Sequence, residues 1–167
     1  MFRTFGIGSV LGFPIQINPS WLITLSFFLL ILGTDIYPEV VEGEAWLHWT
    51  LAGVSALFFC VCIILHELAH SLVARKYGLP VRAITLFALG GVSEITREPR
   101  RPRIELLMAL AGPLTSVGLS LVFLGMAFAP LIGSDANRAG VMWEWLFLVN
   151  LSLGIVNLAP GFPLDGG

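Results

Sequence analysis

One long helical run, from Trp46 to Tyr77, constrains the fold more than any other feature, because it contains no proline and no glycine after Gly53. Its 32 residues would extend about 48 Å as an α-helix, whereas the hydrocarbon core of a bilayer is about 30 Å thick. The chain is 56% hydrophobic and 12% charged, with a mean hydropathy of +0.87. These values lie outside the range of ordinary soluble domains, so we expect a membrane protein.

Three further apolar segments predict additional transmembrane helices. The first, "SWLITLSFFLLILG", follows Asn18 and Pro19, which are typical of a helix start. The other two are "IELLMALAGPLTSVGLSLVFLGMAFAP" and "VMWEWLFLVNLSLG". We therefore expect an α-helical polytopic membrane protein with about four transmembrane helices. The predicted spans cover approximately residues 19–37, 46–77, 104–129 and 141–158.

Two segments favour β-strands instead. Residues 1–18 carry several glycines and a partial alternation of apolar side chains, which suits a short strand pair or an interfacial segment. Residues 80–96 are rich in β-branched side chains around Gly90 and Gly91, and predict a hairpin or a re-entrant strand pair. The fold class is therefore helical with a small membrane-associated β region. We interpret residues 1–167 as one transmembrane core domain.

The charged residues are unevenly distributed along the chain. Seven of the nine Lys and Arg residues lie between Arg75 and Arg103, and an acidic cluster lies between Asp35 and Glu44. The positive-inside rule then predicts a multi-pass protein of the cell membrane, with the N-terminus and the basic residues 75–103 in the cytoplasm. The net charge of -2 and the absence of a basic stripe argue against nucleic acid as a partner.

The third predicted span carries small side chains at positions that share one helical face. We interpret this small-residue stripe as a surface for close helix packing, which is a commoner role for such a pattern than chemistry. It consists of Ala109, Gly112, Ser116 and Ser120.

The long helix contains the segment "HELAH", which places ionisable groups where lipid is expected. His66 and His70 are four residues apart, so their imidazoles lie on one helical face and can share a metal ion. Glu67 is adjacent and can act on a water molecule at that metal. Ionisable residues inside membranes are rare and usually functional. The H-E-x-x-H pattern therefore predicts a zinc hydrolase rather than two histidines satisfied by neighbouring helices.

A catalytic zinc usually has three protein ligands and one position for water, so a third ligand is needed. Among the few carboxylates near the membrane, Glu144 adjoins Trp143 and Trp145, which are typical of a membrane interface. Asp165 lies in "NLAPGFPLDGG", just after the fourth span returns to the cytoplasmic half. We therefore favour Asp165 as the third ligand of one zinc ion per chain.

The two motifs together resemble the site-2 protease family of intramembrane zinc metalloproteases. "HELAH" lies on a hydrophobic helix and "NLAPGFPLDGG" at the end of a later one. "INPSW" before the first span, "LFALGGVSEI" after the HExxH helix and "AGPLTS" in the next helix also look like features of the family, in the family's order. No PDZ-like insertion separates these elements, so the chain resembles the simpler branch of the family.

The resemblance implies a role for each site residue. His66 and His70 would bind zinc with Asp165 as the third ligand, Glu67 would be the catalytic base, and Asn157 would hold substrate or the oxyanion. The reaction would be hydrolysis of a peptide bond within or near a transmembrane segment of a protein substrate, as in regulated intramembrane proteolysis. The substrate must unwind locally, and the glycine-containing strand segment could hold it extended by β-augmentation.

The resemblance also implies that further helices follow the LDGG motif, so we expect residues 1–167 to be the core of a longer protein, without a visible CBS domain. A second hypothesis is a membrane protein that binds or transports divalent metal without peptidase activity. Its transport path would need further polar residues on other spans, but the first and third spans offer only Ser and Thr. A third hypothesis, an inactive relative acting as a membrane chaperone, is disfavoured by the intact Glu67. The sequence makes no prediction of the oligomeric state.

Overall fold

The computed structural model describes residues 4–88, 90–96, 99, 101–128 and 136–158, with the backbone alone described for residues 136–138. Ten elements follow one another along these residues. They are β1 (Phe5–Val10), β2 (Phe13–Ile17), α1 (Trp21–Ile31), a π-helical segment (Leu32–Ile36), α2 (Tyr37–Val40), α3 (Ala45–Lys76), β3 (Val81–Phe87), β4 (Gly90–Ile95), α4 (Pro102–Phe128) and α5 (Ala136–Asn157).

Four helical segments among the described residues are long and apolar enough to cross a membrane. A small sheet accompanies them, so the predicted fold class is confirmed. These four segments are Trp21–Val40, Ala45–Lys76, Pro102–Phe128 and Ala139–Asn157.

The first span is not a uniform α-helix, because a π-helical segment joins α1 to α2. Gly33 in this segment lies against Trp49 of α3, where a Cβ would come within 2.8 Å of the indole ring. Tyr37 and Ser55 share a buried hydrogen bond nearby. The C-terminal end of the first span therefore packs on α3 through a close approach and a polar contact.

The four strands form one sheet in the order β1-β2-β3-β4. The pairs β1–β2 and β3–β4 are antiparallel, whereas β2 and β3 are parallel, with Ile15 opposite Ile84. The inner face of this sheet packs on α3 through Ile15, Ile84 and Leu68. Both strand pairs predicted from the sequence are present, and the parallel pairing joins them into a single sheet.

The turn between β1 and β2 is fastened to the end of α3. Arg75 donates a hydrogen bond of 2.7 Å to the carbonyl of Leu11, and its guanidinium lies 4.4 Å from the ring centroid of Phe13. This contact fixes the sheet beside the last third of α3, where the HExxH motif lies.

Helix α4 packs between α3 and α5, and small residues allow the close approach. A Cβ on Gly154 of α5 would lie 3.0 Å from the carbonyl oxygen of Pro113 and 2.9 Å from Val117 Cγ2. The bundle core beyond this contact is apolar and includes Phe59, Phe123 and Leu146. This packing presents one face of α4 directly to the HExxH motif.

Candidate active site

Helix α3 carries His66, Glu67 and His70 on two consecutive turns, about 9–15 Å before its C-terminal residue Lys76. The three side chains are only 2%, 6% and 7% exposed, respectively. The Nε2 atoms of His66 and His70 lie 3.2 Å apart. The i, i+4 spacing therefore brings the two imidazoles together at one point, as the sequence predicts.

Helix α4 holds both histidine rings by their other nitrogen. The Nδ1 atom of His70 lies 2.6 Å from the carbonyl oxygen of Met108, and that of His66 lies 2.8 Å from Ser116 Oγ. Because a carbonyl only accepts, His70 donates from Nδ1, and in the neutral ring Nε2 then carries the lone pair. This is the usual arrangement of a metal-binding histidine and its supporting acceptor.

Gly112 of α4 lies directly opposite the two Nε2 atoms. A Cβ at this position would come within 2.5 Å of His66 Nε2 and would overlap His70 Nε2 as well. The close approach of α4 to the two nitrogens is therefore possible only because residue 112 has no side chain.

The two imidazoles suit a zinc ion in both chemistry and spacing. Two nitrogen ligands of a tetrahedral zinc lie about 3.3 Å apart, given Zn–N bonds of about 2.0–2.1 Å. The observed separation of the Nε2 atoms, 3.2 Å, is close to that value. The lone pair on His70 Nε2 also suits a metal ligand.

In the described part of the chain, no group of three His, Cys, Asp or Glu side chains lies together so that it could hold a metal ion. Asp165, the predicted third ligand, lies outside the described residues. Glu144, the alternative considered from the sequence, is exposed on α5.

Strand β4 contacts the Glu67 side chain at two positions. The hydroxyl of Ser93 lies 2.9 Å from Glu67 Oε2 and 3.0 Å from the backbone oxygen of the same residue. The backbone of Gly91 lies so close that a Cβ there would be 2.9 Å from Glu67 Oε1. Glu67 is therefore packed against the strand rather than extended into solvent.

A cavity of about 280 Å³ lies between β4 and the beginning of α4. Its lining includes Glu67 and His70 of α3, residues 91–93 of β4, and Met108 and Ala109 of α4. Among the described residues, β4 is the last strand of the sheet on this side. The cavity therefore joins a strand edge to the HExxH motif.

Asn157 lies at the C-terminal end of α5 and is partly buried. Its side-chain N–H donates to the carbonyl of Leu153 in the same helix at 2.9 Å. Its predicted role in holding substrate stays a prediction.

Several residues that shape the site were not predicted as site residues. Gly112 and Ser116 belong to the small-residue stripe of α4, which does allow close packing on α3 as predicted, and both residues also contact the histidine pair. Gly91 and Ser93 are two apart on one strand, so they face the same side, and this alternation is the only local signal that could have indicated them. The carbonyl of Met108 has no side-chain signature at all.

Comparison with known proteins gives matches along the whole chain. Residues 54–133 match a family described as Peptidase family M50. The chain is 36% identical over 173 residues to a protein of Synechocystis sp. that is provisionally named a zinc metalloprotease. The alignment covers 100% of this chain and 43% of that protein. It is 38% identical over 162 residues to the Rip3 protein of Mycobacterium tuberculosis, also provisionally named a zinc metalloprotease, covering 96% of this chain and 41% of that protein.

The chain thus spans about two-fifths of the length of these curated relatives. Among solved structures, it is similar to the Site-2 Protease from Methanocaldococcus jannaschii, with a TM-score of 0.65 and 30% sequence identity. That match covers 99% of this chain and 68% of the solved chain.

Proposed function

Because this chain belongs to the site-2 protease family, peptidase family M50, we propose that it forms the core of an intramembrane zinc endopeptidase. The family resemblance carried by the "HELAH" and "LDGG" motifs is thereby confirmed. The proposed reaction is hydrolysis of a peptide bond within or near a transmembrane segment of a membrane protein, and the proposed setting is regulated intramembrane proteolysis. One core domain would extend over residues 1–167.

The observation that carries the proposal is the convergence of His66 Nε2 and His70 Nε2 beside a cavity that also exposes Glu67. These groups are buried in a helix whose composition and length suit a membrane span. Burying three ionisable groups is costly unless they are paired or bind a metal. A hydrolytic metal centre accounts both for the burial of all three groups and for the access of Glu67 and His70 to a cavity.

In the proposed site, His66, His70 and Asp165 hold one zinc ion. When bound, zinc polarises the carbonyl of the peptide bond and lowers the pKa of the attacking water toward neutrality. The hydrogen bonds of the two Nδ1 atoms to Ser116 and to the Met108 carbonyl keep the Nε2 atoms directed at each other beside Gly112.

Glu67 is proposed to move the proton. It takes a proton from the attacking water and passes it to the nitrogen of the leaving amine, so one water is consumed and the carboxylate is regenerated. Its side chain adjoins both the cavity and His70, which supports this role. Asn157 is proposed to hold substrate or the oxyanion, which its amide can do with the second of its two N–H donors while the first donates to Leu153.

The substrate is proposed to bind as an extended segment along β4. A transmembrane helix uses its carbonyls in its own hydrogen bonds, so a peptide bond becomes accessible to attack only after local unwinding. A strand edge can satisfy the freed backbone groups by β-augmentation. The cavity adjoins both residues 91–93 of β4 and Glu67, which supports pairing next to the cleavage site.

The protein is proposed to lie in the cell membrane with its N-terminus and residues 75–103 in the cytoplasm. The concentration of Arg and Lys in residues 75–103 supports this orientation. The site would then lie about 9–15 Å from the cytoplasmic end of α3, within the hydrocarbon region.

The test measures cleavage of a transmembrane reporter and zinc content for the complete protein in detergent or vesicles. We expect Glu67→Gln to bind zinc and not cleave, Asp165→Ala to lose zinc and activity, and Glu44→Gln, a change at an exposed carboxylate, to match wild type. If Glu67→Gln cleaves as fast as wild type, the peptidase proposal is wrong. Divalent-metal flux in the same vesicles would then favour the transport hypothesis.

A further inference from the structure

Ser93 of β4 makes three polar contacts, and two of them are with Glu67. Its Oγ lies 2.9 Å from Glu67 Oε2 and 3.0 Å from the Glu67 backbone oxygen. The third contact is with Ser71 Oγ, at 3.0 Å. Ser71 is on α3, one turn after Glu67, and is fully buried. The three residues therefore form a small polar cluster between the strand and the helix.

The number of hydroxyl hydrogens in this cluster favours hydrogen bonds that run from Ser71 to Ser93 and from Ser93 to Glu67. A serine hydroxyl has one hydrogen to donate and two lone pairs, so Ser93 can donate to only one of the two Glu67 oxygens at a time. A carboxylate oxygen is the stronger acceptor, because hydrogen bonds to ionised groups are roughly twice as strong as neutral ones. Ser71 can then donate to Ser93 Oγ. The chain of donors ends on Glu67 Oε2.

Gly91 restrains the same carboxyl group from a second position. It is two residues from Ser93, so it faces the same side of β4. A Cβ at Gly91 would lie 2.9 Å from both Cδ and Oε1 of Glu67. The backbone of the strand thus packs closely against Oε1, and Ser93 holds Oε2 by a hydrogen bond. Together these two contacts fix the rotation of the carboxyl group about the Cγ–Cδ bond.

We infer that Ser93 is a positioning residue, which holds the Glu67 carboxyl group in the orientation required for proton transfer. The inference rests on the proposed function, in which Glu67 is the base. Proton transfer requires the base to lie within hydrogen-bond reach of the proton it takes. Removing the group that orients the base should therefore slow the chemical step without changing how substrate binds.

The position of Ser93 on β4 also couples the base to the strand. The strand that lines the cavity, and along which substrate is proposed to pair, is the strand that holds Glu67. Pairing with substrate restrains β4, and through Ser93 it restrains the carboxyl group as well. Orientation of the base is thus linked to occupancy of the cavity.

The test compares Ser93→Ala, Ser93→Thr and Ser71→Ala in the complete protein, using kcat and KM for a transmembrane reporter, and zinc content. Loss of a group that supports a catalytic site typically costs about 10–100-fold, so we expect Ser93→Ala to lower kcat by that factor. KM and zinc content should stay at wild-type values. Ser93→Thr keeps the hydroxyl and suits a strand, so it should recover most of the rate. Ser71→Ala should have a smaller effect, because Ser93 can still donate.

The matched control is Thr85→Val, which removes a hydroxyl from β3 that contacts Glu94 rather than Glu67. We expect its kcat to equal that of wild type. A Ser93→Ala protein with wild-type kcat overturns the inference, and so does a change in KM alone. A Ser93→Thr protein that is folded, zinc-loaded and as slow as Ser93→Ala also overturns it.

Failure of the peptidase proposal can be distinguished from failure of the Ser93 inference. If wild type does not cleave the reporter, the peptidase proposal fails, and melting temperatures of Ser93→Ala, Glu67→Ala and the double variant decide the inference. Non-additive shifts would support a direct bond between the two side chains, and additive shifts would overturn it.

Discussion

Ser116 of α4 places its hydroxyl oxygen 2.8 Å from Nδ1 of His66 on α3. The bond joins two membrane-spanning helices, and Ser116 is fully buried. It leaves Nε2 of His66 directed at His70 Nε2. The geometry of the candidate metal site therefore depends on a side chain of a different helix.

Ser116→Ala should weaken zinc binding by about 10–100-fold, the usual cost of removing the group that orients a histidine ligand. Competition with a chelator of known affinity measures the change. Ser120→Ala is the matched control, because Ser120 is equally buried one turn later and donates to Val117 in its own helix at 2.7 Å. Equal zinc affinity of the two variants would contradict the prediction.

Gly112→Ala should abolish zinc binding, because the new Cβ would occupy the space in front of His66 Nε2 and His70 Nε2. Zinc content of the purified protein measures this directly. The control is Gly118→Ala on the same helix, where an added Cβ meets nothing within 4 Å. Alanine is the better helix former by about 1 kcal/mol, so the control should fold normally and keep its zinc. A fully loaded Gly112→Ala protein would refute the role assigned to Gly112.

Gly91→Ala should lower kcat by about 100-fold while zinc content is retained, because displacement of a catalytic group by about 1 Å costs a factor of that order. The added Cβ would lie 2.9 Å from Glu67 Oε1 and would push the carboxyl group away from its present position. Gly6→Ala on β1 is the control, since nothing lies within 4 Å of its Cβ. The prediction is wrong if the two variants have the same kcat.

Gly154→Ala should reduce the free energy of unfolding by about 1–3 kcal/mol, the usual cost of overpacking. The neighbour at 3.0 Å is the backbone oxygen of Pro113, which cannot move aside without shifting α4. Unfolding in mixed detergent micelles measures the difference. Gly140→Ala on the same helix, with open space around its Cβ, should be neutral or stabilising. Equal stability of both variants would show that the two helices can separate slightly at no cost.

The features of the fold that depend on local sequence pattern could be predicted. Long apolar runs indicate spans and alternating β-branched residues indicate strands, and the structure contains both. The parallel pairing of Ile15 with Ile84 could not be predicted, because the two residues are far apart in the sequence and neither position carries a signal for its partner. The π-helical segment at Gly33 was also missed, since its contact with Trp49 belongs to the packed structure rather than to the local sequence.

In the candidate site, too, local features could be predicted and tertiary contacts could not. His66, Glu67 and His70 could be predicted because helical periodicity alone brings them together. Their supports come from other elements: Ser116 and the Met108 carbonyl from α4, and Ser93 from β4. Such contacts are set by tertiary packing, so a serine or a backbone carbonyl at these positions looks ordinary in the sequence. Asp165 lies outside the described residues and stays a prediction.

The division of the site between α3 and α4 also sets an order of events during biosynthesis. The ribosome completes His66, Glu67 and His70 before it has made Met108, Gly112 and Ser116. The helix that orients both imidazoles therefore enters the membrane after the helix that carries them. A nascent chain that has inserted only its first two spans therefore lacks every contact that α4 makes with the two imidazoles, and the arrangement of the candidate site can form only once the third span is in place.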